Sequence, residues 1–316
     1  MTASPGGTRF VLTHRTSYAF DRPVALAPHE IRLRPAPHAH ARIASYSLTV
    51  EPAAHTLHWQ QDAYANWVAR LTFPERASRL ALRVELAGEL VDVNPFDFFV
   101  DPEAAVFPFA YALAVRRALA PCLAPAGADS LRVARWVDDF RTTIAPGEQT
   151  TGLLVRLNRH LRRDIDYRIR DEPGVQSADA TLAARSGSCR DSAWLLIEIL
   201  RTLGIAARFV SGYLIELAAG DSVLGTTANA TGHAPADASR DTASLHAWAE
   251  AFIPGAGWIG LDPTSGLLAA GGHLPLACAA DPQLASPVSG TTEVCNVVFD
   301  ASIGVTRVTT AQGTVR

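Results

Sequence analysis

No stretch of this 316-residue sequence is long and apolar enough to cross a bilayer, and no internal repeat is visible. The segment Met1 to Gly7 holds neither a basic start nor an apolar run, so no secretory signal is read and the cytoplasm is the expected compartment. Cysteine is scarce. Cys122, Cys189, Cys278 and Cys295 form no CxxC pair, which excludes a dense disulfide framework. Reduced core thiols are expected, with one disulfide among Cys122, Cys278 and Cys295 left open. Cys and His are not clustered at ligand spacing, so no metal and no other cofactor is expected. A strong charge of one sign is missing too: the formal net charge of −3 gives no reason to expect nucleic acid or an anionic membrane as partner.

What is present describes a globular protein. With 48% hydrophobic and 19% charged residues, the chain has apolar material for two cores, and its length suits two domains. Residues 8–120 read as β-rich. Ser45 to Val50, Trp67 to Phe73 and Leu80 to Leu86 alternate polar and apolar, with turn residues at Glu51-Pro52, Gln61 to Asn66 and Pro74 to Arg76. Short alternating strands at this spacing predict a β-sandwich-like domain. His14, His29, His38, His40, His55 and His58 are scattered over these strands and turns, and read as surface or satisfied core residues.

The aromatic, proline-bearing stretch from Asn94 to Pro121 reads as a linker, with the domain boundary near Pro125-Ala126-Gly127. Residues 128–300 then read as an α+β domain. A helix from about Asp129 carries Val133, Trp136, Val137 and Phe140, and a second from about Thr150 carries Leu154, Leu157 and Leu161. Ile165 to Ile169 reads as a short strand and Ala178 to Arg185 as a short helix. The small, polar segment 217–243 is a mobile insertion whose alternatives are a lid and a plain disordered loop. Gly271 to Leu276 and Thr292 to Phe299 are expected to be strands that close the sheet.

One stretch points to chemistry. Ser186-Gly187-Ser188-Cys189 is a tight turn, with Gly187 permitting the bend, that feeds a helix with Ala193, Leu196, Ile199, Leu200 and Leu203 on one face and Gly204 as its stop. A thiol at a helix N-terminus sits among unpaired N–H groups at the positive end of the dipole, which favours the nucleophilic thiolate. Downstream, Ser244 to Phe252 alternates as a strand, Pro254 to Gly257 is a turn, and Trp258 to Asp262 returns. That hairpin brings His246 and Asp262 to one end, completing a Cys189, His246, Asp262 set of nucleophile, base and orienting carboxylate.

Gly187 to Asp191, the Arg208 to Tyr213 strand, His246-Ala247-Trp248 and Asp262-Pro263-Thr264 resemble the core of the transglutaminase-like superfamily of papain-fold thiol enzymes. Thr13 to Tyr18 and Ile31 to Pro35 resemble the β-rich N-terminal region of bacterial transglutaminase-like proteins. The resemblance implies a Cys-bearing helix packed on an antiparallel sheet, and acyl transfer on peptide or isopeptide amides through a Cys189 thioester. Hydrolysis is the expected outcome. Transamidation, or a non-catalytic peptide-binding role, are the alternatives. The resemblance also implies peptide or protein substrates and, by analogy, peptide-ligating partners of the ATP-grasp type. In such a site the backbone N–H of Cys189 is one oxyanion donor; the sequence does not name the second, for which Tyr167 is a candidate, with a packed aromatic as the favoured alternative. Trp248 and Trp258 either wall the cleft or pack the hairpin. Arg190 is assigned no chemistry; a carboxylate across the domain is one partner open to it.

Overall fold

The computed structural model describes residues 7–125, 130–218 and 240–308. The N-terminal half is all β: β1 (Thr8–Val24), β2 (His29–Ile31), β3 (Arg42–Glu51), β4 (Thr56–Gln61), β5 (Trp67–Thr72) and β6 (Ala77–Leu90). Two short helices, α1 (Leu113–Ala118) and α2 (Ala120–Leu123), interrupt what reads from sequence as a plain linker. Then come α3 (Leu131–Arg141), α4 (Thr150–Asp164), β7 (Asp166–Tyr167), α5 (Ala178–Ala184), β8 (Ser186–Gly187) and α6 (Cys189–Thr202). The chain continues through β9 (Ala207–Glu216), β10 (Thr242–Ile253), β11 (Gly257–Asp262), β12 (Leu267–Leu268) and β13 (His273–Ala279) to β14 (Val288–Ser289) and β15 (Val297–Arg307). This is an α+β chain with a β-sandwich-like first half, as the sequence predicts.

The sheets show one difference from that reading. The order β12-β11-β10-β9-β13 makes an antiparallel sheet, so the Gly271 to Leu276 stretch does close it. The last strands leave it: β15 pairs along β1 from Phe10↔Arg307 to Phe20↔Val297, and β14 pairs with β2. The span 128–300 therefore ends its own sheet at β13, and the chain returns to complete both sheets of the N-terminal sandwich, β15-β1-β6-β3 and β14-β2-β5-β4. Exposed edges of β1 and β2 are thereby paired. Of the polar segment 217–243, residues 219–239 lie outside the described residues, and Thr242 already pairs with Glu216.

Helix α6 is the hub. Its spacing predicts one apolar face, yet Leu195 and Ile197 on the other faces are also fully buried, with Glu198 and Arg201. Glu198 and Arg201 pair at 3.5 Å, and Arg201 donates to the carbonyls of Ala207 and Ala280, so these charges are satisfied inside rather than facing water. Burying each of the α6 leucines stabilises by about 2 kcal/mol. The helix ends in a Schellman motif, with Gly204 at φ +86°, its N–H on Arg201 and the Ile205 N–H on Leu200.

One face of the five-stranded sheet carries Ala247, Ala249 and Ala251 against α3, α4 and α6. Tyr213, Ile215, Leu274 and Leu276 point the other way, into the core of the N-terminal sandwich. The sheet is thus shared between two hydrophobic cores.

Candidate active site

Cys189 is the first residue of α6, half-buried, with Ser188 as N-cap. The Ser188 N–H and hydroxyl both donate to Asp191 Oδ2 at 2.8 Å, and the Gln176 N–H donates to Oδ1 at 2.7 Å. Arg170 Nε reaches Oδ2 at 2.8 Å. Asp191 is fully buried, and although burial is the largest influence and raises its pKa, these hydrogen bonds and the Arg170 charge lower it below the usual carboxylate value. One carboxylate thus ties segment 170–176 to the turn that presents the thiol. Among the described residues Arg190 meets no carboxylate; it donates to the backbone carbonyls of Arg170 and Glu172.

Gly187 serves the turn differently from the sequence reading. The left-handed residue is Arg185, at φ 51°; a Cβ on Gly187 would lie 2.8 Å from the Asp191 Cβ. Close approach to Asp191 is what requires glycine there.

The β10–β11 hairpin turns through Gly255 and Gly257 at positive φ, and its last paired residues are Ala249 and Leu261. Asp262 therefore sits diagonally across from His246. His246 Nε2 meets Asp262 Oδ2 at 3.1 Å, both side chains buried. The ring also hydrogen-bonds the Cys189 thiol, which falls to Nδ1 because Nε2 is taken. Cys189, His246 and Asp262, predicted from sequence as a set, are brought into one hydrogen-bonded chain.

Asp262 has two further partners, of which only Thr264 belongs to a stretch singled out in the sequence. The Thr264 N–H and hydroxyl donate to Oδ1 at 2.9 and 2.7 Å, and His273 Nε2 meets Oδ2 at 3.3 Å. His273 comes from β13 at the opposite edge of the sheet, so neither spacing nor periodicity reveals it. Burial is the largest influence on Asp262 and opposes ionisation, but the hydrogen bonds and charges of His246 and His273 hold it well below the carboxylate range. For His246, burial again leads and pulls the pKa down; Asp262 and Cys189 outweigh it, and the pKa stands at about 10. The imidazolium is the resting form at neutral pH.

The donor atoms of His246, Asp262 and His273 lie within 4.8 Å of one another, close enough that the three could hold a metal ion. The same atoms make the hydrogen bonds just described, so an ion there would compete with the proton on His246 Nε2.

Tyr167 pairs across β7 and β8 with Gly187, which places it beside the thiol turn. Burial, then the charges of Cys189 and Asp262, push its hydroxyl up to about 12, so it stays protonated and able to donate. The N–H of Cys189, at the first helical position, lies outside the i→i−4 ladder. Trp248 is buried, its ring 6.3 Å from His246 and 5.2 Å from His273. With Trp258 it lines a cavity of about 270 Å³ under His38 and His40, and Cys189 is not part of that lining. There Arg208 is held between the Trp258 ring, at 4.2 Å, and the buried Glu250 carboxylate, at 2.6 Å.

His14 bridges the Tyr213 hydroxyl and Thr16, His29 meets the Ala27 carbonyl, and all four cysteines are unpaired.

Residues 10–89 match the bacterial transglutaminase-like N-terminal region, and residues 139–263 match the transglutaminase-like superfamily core. An uncharacterized protein of Mycobacterium tuberculosis is 27% identical over 95% of this chain and 93% of its own length. One from Mycobacterium leprae is 30% identical over 46% of this chain and 47% of its own. Among solved structures, a candidate cysteine protease from Cytophaga hutchinsonii shares the fold at a TM-score of 0.68 and 18% identity, over 97% of this chain and 93% of that one. The superfamily match runs through Cys189, His246 and Asp262, so residues 139–263 carry a transglutaminase-like core behind a bacterial transglutaminase-like N-terminal region.

Proposed function

We propose that the protein is a cysteine-dependent acyl-transfer enzyme that cleaves peptide or isopeptide amides. The observation that carries this reading is the His246 ring held between the Cys189 thiol and the Asp262 carboxylate. The name of the Cytophaga hutchinsonii protein, a candidate cysteine protease of the same fold, agrees with it.

In this mechanism the Cys189 thiolate attacks the amide carbonyl carbon, and the new oxyanion takes hydrogen bonds from the Cys189 N–H and the Tyr167 hydroxyl. His246 gives its Nδ1 proton to the leaving nitrogen as the C–N bond breaks, leaving a thioester and a neutral imidazole. Water then attacks the thioester carbonyl while His246 takes its proton. The acid departs, and thiolate and imidazolium are restored. Asp262, held by His273 and Thr264, keeps Nε2 protonated throughout and fixes the ring.

The test is a peptide and isopeptide library incubated with wild type and Cys189→Ala, with mass spectrometry of products and iodoacetamide labelling. Cleavage lost in the variant, with Cys189 alkylated faster than the other three thiols, is the expected result. Equal slow labelling of all four thiols and no cleavage would sink the reading. Incorporation of an added amine in place of water would redirect it to transamidation.

A further inference from the structure

A second site lies in the N-terminal sandwich, apart from the triad. A cavity of about 540 Å³ opens between β3 on one sheet and β4 and β5 on the other, edged by residues 34–41. Its volume suits a ligand of one or two residues. Arg34 stands at its centre, half-buried, with its guanidinium carbon 4.4 Å from the Trp67 ring, 5.4 Å from Trp59 and 5.8 Å from Tyr46.

Rings that stack on a guanidinium engage its faces and leave the N–H donors at its edge free. Among the described residues no carboxylate or carbonyl accepts from Arg34, unlike Arg32 two positions earlier, which pairs with Glu30 at 2.7 Å. The cavity is open to solvent, so these donors face water and are available to a ligand that enters it.

We propose that this cavity binds a carboxylate attached to an apolar body. The planar fork of Arg34 matches a carboxylate in bidentate fashion. A single cation suits one negative charge better than a phosphate dianion. Ile43, Leu48 and the rims of Trp59 and Trp67 supply apolar contact for the rest of the ligand. A peptide C-terminus and a free N-acylated amino acid share this chemistry.

The experiment uses full-length Cys189→Ala protein, which keeps turnover out of the measurement and makes the outcome independent of the acyl-transfer reading. N-acetyl-phenylalanine, its C-terminal amide and inorganic phosphate are titrated while the indole N–H signals of Trp59 and Trp67 are followed by NMR. Saturable shifts with the acid, and binding at least about tenfold weaker for the amide and for phosphate, are expected. Arg34→Gln removes the shifts. Arg34→Lys, which keeps the charge but loses the fork, binds weakly and guards against a folding defect in the first variant. Equal binding of acid and amide, equally tight phosphate, or undiminished binding by both Arg34 variants would overturn the proposal. A tetrapeptide ending in phenylalanine with a free carboxyl separates the sources: binding as tight as the N-acetyl acid assigns a peptide terminus, exclusion assigns a small acid, and either supports the carboxylate site.

Discussion

Trp248 occupies the space that Gly212 leaves by having no side chain. A Cβ on Gly212 would stand 2.4 Å from the indole ring and 2.4 Å from the Leu274 carbonyl oxygen. The indole cannot move freely, since it packs between the His246 and His273 rings. Gly212→Ala is expected to destabilise the protein by about 1–3 kcal/mol through overpacking and to slow Cys189 alkylation by displacing His246. Denaturant unfolding and iodoacetamide kinetics check the two effects. An unchanged alkylation rate would show that Trp248 does not hold the histidine.

His273 shares the Asp262 oxygen that orients His246. It touches no substrate in the proposed mechanism and is a positioning residue. His273→Leu is expected to lower kcat/KM about tenfold, the scale of one hydrogen bond to a charged group. His273→Gln, which can still donate, recovers most of it. A loss in both variants of equal size, with stability falling in parallel, would mark a purely structural role.

The pH profile follows from the imidazolium. With its pKa at about 10, His246 keeps the proton needed by the leaving group through the neutral range, and activity falls as pH rises toward 10. Asp262→Asn removes the charge and the carboxylate that raise this pKa, so the alkaline limb of kcat/KM moves to lower pH. An alkaline limb that stays in place in the variant would detach it from the His246–Asp262 pair.

Tyr167 is tested by Tyr167→Phe, which removes the hydroxyl and leaves the ring. An oxyanion donor predicts a kcat lower by about a hundredfold with KM little changed. A packed aromatic predicts no change in either, and single-turnover kinetics separate the two.

His14 links pH to stability. Burial lowers its pKa from 6.5 to about 4 in the folded protein. Between these values the unfolded chain binds the extra proton, so stability is full above about 6.5 and falls as pH drops toward 4. The loss is roughly 3 kcal/mol for a shift of this size. Urea unfolding of wild type and His14→Gln at neutral and mildly acid pH checks it: the variant is expected to lose less on acidification.

Much of this architecture is legible in the chain before it folds. The alternation in Ser45 to Val50, Trp67 to Phe73 and Leu80 to Leu86 predicts β3, β5 and β6, and the leucine spacing after Thr150 predicts α4. The hairpin from Ser244 to Asp262 is legible because its register follows from turn chemistry and two strand lengths. Helix α6 misleads in one respect. Glu198 and Arg201 lie off the face its spacing predicts to be buried, and neither their pairing inside the protein nor the donation of Arg201 to backbone carbonyls has a local signature.

By itself, then, the sequence determined β3, β5, β6, α4, the turn from Cys189 into α6 and the hairpin that carries His246 and Asp262, because periodicity, capping and turns are properties of neighbouring residues. Tertiary structure decided the rest. The return of β15 to β1, the meeting of His273 with Asp262, the seat of Trp248 on Gly212 and the place of Tyr167 beside the thiol turn all depend on contacts across sheets. Such contacts arise from packing two cores against one shared sheet, and no spacing along the chain encodes them.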